Sequence, residues 1–106
     1  MNSNQIILSD LKKHLSKNFD KPIQDVILFG SQAVGYSKEG SGFDVLVVLN
    51  SDYDWKDEGK VLDLCFDINL KYDIIIDLHL LSKSEIVSPR GKQPVFVNAL
   101  KKGLYA

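Results

Sequence analysis

Ile7, Leu11 and Leu15 recur four residues apart, the spacing that lines one face of a helix, and they predict an amphipathic helix from about Ile6 to Lys17. The period then changes. After the turn-forming stretch Asn18 to Pro22, Asp25 to Phe29 is a short β-branched and apolar run, and Phe43 to Leu49 and Ile74 to Leu81 are two more. Between the last two, Asn50 to Asp54 is a polar break. Trp55 to Leu70 returns to helical spacing, with Val61, Leu64, Cys65 and Ile68 on its apolar face. Gly30 to Gly35 reads as a turn leading into a short helix, and Tyr36 to Gly42 and Ser88 to Gln93 read as loops. Pro94 suits the first turn of a final helix, and Gly103, after Lys101 and Lys102, suits its left-handed stop.

The runs at 43–49 and 74–81 are apolar nearly throughout, which requires cover on both faces. The expected fold class is therefore α/β or α+β, a small mixed sheet with helices packed on it. At 106 residues and 44% hydrophobic content the chain, 1–106, is expected to be a single domain with one modest core. A second, substrate-binding domain would have to come from another chain. The sheet edges and wide cleft of so small a domain also suit a protein partner or a homo-oligomer.

Charge and cysteine content narrow the classes. Thirteen Lys and Arg against 14 Asp and Glu leave the chain near neutral, without the basic field that draws a protein to nucleic acid. Met1 to Gln5 lacks a secretory layout, and no apolar run approaches the roughly 20 residues of a membrane span, so a cytoplasmic protein with no membrane partner is expected. The one cysteine, Cys65, makes no internal disulfide and no cysteine-rich zinc site, and its helical spacing marks it as core.

Candidate chemistry lies at Gly30-Ser31 and in the strands that follow. A glycine at a strand-to-helix turn lets backbone N–H groups approach an anion, and the serine hydroxyl can join them. Asp44 and Asp77 interrupt runs that otherwise look buried. A carboxylate placed there is costly unless it is paired, hydrogen-bonded or bound to metal. Two of them near one glycine turn suit Mg²⁺ or Mn²⁺ shared with a substrate phosphate. Asp73 is a rival to Asp77, but it follows Lys71 and Tyr72 where solvent is the expected partner. His79 shares the strand face of Asp77 and is within reach of an acceptor, although a histidine there is ordinarily structural. A P-loop is excluded, since Tyr36 stands where its lysine is required.

Gly30-Ser31, Ala33 and Gly35, followed by a strand bearing Asp44, resemble the signature of the minimal nucleotidyltransferases of the DNA polymerase β superfamily. The resemblance implies transfer of a nucleoside monophosphate from an NTP to an acceptor hydroxyl, with Gly30 and Ser31 holding the triphosphate. It also implies Mg²⁺ or Mn²⁺ on Asp44 and Asp77, with Asp77 acting as base toward the acceptor. Two departures stand out. Gly42 occupies the place of the family's first metal-binding Asp, and Val34 a place often basic, for which Lys38, Arg90 or Lys92 are the candidate substitutes. Loss of one carboxylate should lower metal affinity and rate. The alternative is a catalytically inactive member acting as an antitoxin-like protein with a HEPN-type partner.

Overall fold

The computed structural model describes residues 3–30 and 43–106. Ser31 and Gly42, two of the positions that carry the sequence signature, lie outside the described residues, as do Val34 and Lys38. The elements run α1 (Ser3–Asn18), β1 (Ile23–Phe29), β2 (Phe43–Leu49), α2 (Trp55–Tyr72), β3 (Ile76–Ser82), α3 (Lys83–Ile86), α4 (Pro94–Lys102) and β4 (Leu104–Tyr105). Among the described residues, four strands form one sheet in the order β3-β2-β1-β4. It is mixed: β1 is antiparallel to β2 and β4, while β2 and β3, joined through α2, are parallel.

Side chains alternate across a strand, and both faces of this sheet are covered. Val26, Leu28, Val45, Val47 and Leu80 pack with Leu8, Leu11 and Leu15 of α1 and Val61, Leu64 and Ile68 of α2. On the opposite face Ile27, Leu46, Val48 and Leu81 pack with Phe96 and Ala99 of α4. The apolar runs of β2 and β3 are apolar because they meet a helical layer on each side.

Local signals fix the helix ends. The Asp54 side chain accepts a hydrogen bond from the Asp57 amide and the Asp57 side chain accepts one from the Asp54 amide, a reciprocal cap that starts α2. Asp73 ends the same helix in the left-handed conformation, φ 55°, instead of standing on a strand, and this removes it as a rival to Asp77. Gly103 departs from expectation. Its φ is −70°, so it is no left-handed stop; a Cβ there would lie 2.3 Å from Ile27 Cγ2, and glycine is required for close approach instead. Cys65 is buried as expected, with its thiol pushed up to about 12 by burial.

Candidate functional site

Three strands meet at one end of the sheet, where β1 leaves and the parallel strands β2 and β3 enter. Across that end Phe29, Asp44 and Asp77 lie in one row, Phe29 opposite Asp44 and Asp44 opposite Asp77. One step along the same face the next row is Ile27, Leu46 and His79. The register thus brings together the two carboxylates that the sequence singled out. It adds a neighbour that sequence reasoning treated as structural: ligand atoms of Asp44, Asp77 and His79 all lie within 4.8 Å of one another.

Gly30 closes this corner. Its φ of 78° is in the left-handed region, and a Cβ built on it would lie 2.6 Å from Asp44 Oδ2. Glycine is needed here on two counts, the backbone conformation and the approach of the Asp44 carboxylate.

The environments of the two carboxylates differ. Asp44 is half-buried on a central strand, and burial, then the negative charge of Asp77 and a hydrogen bond shared with it, hold its carboxyl above the usual carboxylate range; His79 opposes the shift. Asp77 was expected in a buried run, but β3 is an edge strand and the Asp77 side chain is 65% exposed. His79 is held between aromatic rings, its centroid 5.2 Å from Phe29 and 6.1 Å from Phe96, and its Nε2 lies 3.8 Å from Asp77 Oδ2.

One of the expected basic residues is close. A shallow pocket along the β3 edge is lined by Glu58, Leu62, Leu78, His79, Leu80 and Arg90. Arg90 donates to the Leu80 carbonyl at 3.3 Å, pairs with Glu85 at 3.3 Å and lies over the Phe96 ring. Lys92 is exposed on the loop before α4. His14 is elsewhere: on α1 it bonds Asp67 of α2 at 2.8 Å.

Comparison with known proteins identifies the family. Residues 8–102 match the family model described as "Nucleotidyltransferase domain", and the chain belongs to that family. Among curated proteins it is 33% identical over 78 residues to "Putative protein adenylyltransferase MJ0141" of Methanocaldococcus jannaschii, covering 74% of this chain and 79% of that protein. It is 32% identical over 89 residues to "Putative protein adenylyltransferase MJ0604" of the same organism, covering 84% and 83%. Among solved structures, a mutant of the MntA-HpeT toxin-antitoxin superposes with a TM-score of 0.63 at 23% identity over 99% of this chain and 72% of that one. A toxin-antitoxin crystallised with AMP-PNP gives the same TM-score at 24% identity, over 99% and 72%. At that identity the likeness establishes the fold. Among the described residues no helix is long and apolar enough to cross a membrane.

Proposed function

We propose that this domain binds a metal–NTP complex at the Gly30 corner and transfers the nucleoside monophosphate to an acceptor hydroxyl, with a protein as the acceptor class. The observation that carries the reading is the convergence of Asp44 and Asp77 beside a left-handed glycine. Relatives named as protein adenylyltransferases support ATP as donor and a protein hydroxyl as acceptor.

The donor set fits the divalent ion that the family generally uses: two carboxylates in register on adjacent strands, with solvent on the Asp77 side. When bound, such an ion supplies charge neutralisation at the phosphates. Gly30 and Ser31 hold the triphosphate at the turn, through backbone N–H groups and the Ser31 hydroxyl. Asp77, at the exposed edge, takes the proton as the acceptor oxygen bonds to the α-phosphorus and the bond to pyrophosphate breaks. Glycine at position 42 has no side-chain oxygen to add to this set, and the native rate is accordingly low. The test incubates labelled ATP with Mg²⁺ or Mn²⁺ and the protein, with and without Gly42→Asp. The expected result is weak labelling of protein by the native chain, rising about tenfold or more in Gly42→Asp as a metal ligand is regained. Transfer confined to the substituted protein would replace this reading with the second one.

That second reading is an inactive, antitoxin-like protein that binds a partner chain, and one observation favours it. Trp55, Leu62, Phe66 and Leu70 fall along one side of α2, and all four are exposed, from 47% to 78%. Large apolar side chains aligned on one stripe mark an interaction surface more than a solvated helix face. The structural likeness to a toxin-antitoxin pair is consistent with such a partner.

A further inference from the structure

His79 changes the chemistry of the acidic corner. Two carboxylates alone are hard oxygen donors of the kind Mg²⁺ accepts, keeping several waters and demanding near-octahedral oxygen geometry. An imidazole nitrogen is a poor ligand for Mg²⁺ and a good one for Zn²⁺, Ni²⁺ and Cu²⁺. The Nε2 of His79 lies 3.8 Å from Asp77 Oδ2, and the three donors lie within 4.8 Å of one another. Donors sharing one ion at about 2.1 Å are themselves about 3 to 4 Å apart, so the trio needs a contraction of roughly 1 Å at its widest. The longest separation is between Asp44 and His79, since Asp77 is hydrogen-bonded to Asp44 and 3.8 Å from His79, and side-chain rotation at the half-buried Asp44 can supply that movement.

The His79 ring is also in place before any ion arrives. Phe29 and Phe96 flank it, and Phe96, on α4, is itself buried against the sheet. A ligand whose ring is already oriented loses less freedom on coordination. We propose that Asp44, Asp77 and His79 form a mixed carboxylate–imidazole site that selects a divalent transition-metal ion over Mg²⁺, His79 supplying a third ligand where Gly42 supplies none. The assignment rests on the reading of Asp44 and Asp77 as the metal-holding pair, and adds to it the identity of the third donor and the class of ion.

The test is made easier by composition, because the chain has two histidines. His14 lies on α1, against Asp67 and Asn18, and serves as an internal control. The full chain, free of nucleotide, is titrated with ZnCl₂ while ring-nitrogen NMR signals of both histidines are followed, and calorimetry compares Zn²⁺, Mn²⁺ and Mg²⁺. The expected result is displacement of the His79 ring signals and not those of His14. Zn²⁺ affinity should fall roughly 10- to 100-fold in His79→Gln and stay unchanged in His14→Gln, with weak Mg²⁺ binding alike in all three. Zinc that leaves the His79 ring unmoved in the native chain would overturn the proposal, as would Mg²⁺ binding as tightly as Zn²⁺. The native-chain NMR result stands even if His79→Gln fails to fold. AMP-PNP with Mg²⁺ separates the two readings. Nucleotide binding with no zinc at His79 defeats the site proposal alone, and zinc at His79 with no nucleotide binding defeats the nucleotidyl-transfer reading alone.

Discussion

The two faces of the sheet are made by the same three strands and carry opposite chemistry. Under α1 and α2 the inward positions Val26, Leu28, Phe43, Val45, Val47, Leu49, Ile76 and Leu80 are apolar from one end to the other. Under α4 the alternate positions are apolar at Ile27, Leu46, Val48 and Leu81, with Asp25 opposite Val48 at the far end, and change to Asp44, Asp77 and His79 at the end where the sheet opens to solvent. A face that must only be stable is uniform. A face that departs from apolar packing at one end, with two carboxylates and an imidazole in adjoining register rows, has been fitted to something other than packing.

The sharpest way to break that contrast is a cavity on the closed face. Leu11 is fully buried between α1 and the sheet, and Leu11→Ala removes side-chain volume from a site that collapses only in part. A loss of about 2 to 5 kcal/mol in urea unfolding is expected, with metal and nucleotide affinity of the folded fraction unchanged. Loss of ligand binding without loss of stability would show that the two faces are coupled and that their separation here is mistaken.

Asp44 gives a smaller effect of opposite sign. Its carboxyl sits above its ordinary value, through burial first and the Asp77 charge second, so the folded protein holds that proton to a higher pH than the unfolded chain does. The stability it contributes is fully present below the ordinary value of 3.8 and is lost as pH rises through the raised one. At neutral pH the ion-free protein therefore carries a penalty at this position. Asp44→Asn should melt at a higher temperature than the native protein at pH 7, and the difference should vanish near pH 3. Adding a divalent ion at pH 7 should reverse the order, because only the native carboxylate is stabilised by it. An Asn variant that melts lower at pH 7 without metal would mean that Asp44 is a structural partner, and the contrast between the faces would fail at its centre.

The closed face was legible in the sequence because its signal is repeated. Four-residue spacing marked α1 and α2, and the runs at β1 and β2 fell on observed strands, β2 to the residue. What could not be read was set by single contacts. β4 is two residues long and exists through pairing with β1, and α3 is a single turn capped by Ser82 and Glu85. Gly103 had the look of a helix stop, yet its reason is the Ile27 side chain in a strand far away in sequence. Asp44 and Asp77 were found because a carboxylate is conspicuous in an apolar run. His79 was discounted because a lone histidine has many ordinary uses, and only the register that sets it beside Asp77 and one row from Asp44 distinguishes it.

The smallest effect on stability is expected outside both faces, on the outward stripe of α2. Phe66 is 57% exposed, flanked by Leu62 and Leu70 four residues either side, and lies outside the core cluster, so it has little packing to lose. Phe66→Ser should change unfolding free energy by no more than about 0.5 kcal/mol. Zinc and nucleotide binding at the Gly30 corner should be unaltered. If the stripe is an association surface, the same substitution should remove the aromatic anchor at its centre, and sedimentation velocity of the native chain against the variant at rising concentration reads that directly. A native chain that associates and a variant that does not would give the molecule a third functional surface, separate from core and corner. A melting temperature that drops sharply in the variant would instead place Phe66 with the closed face, and the exposed stripe would lose its meaning.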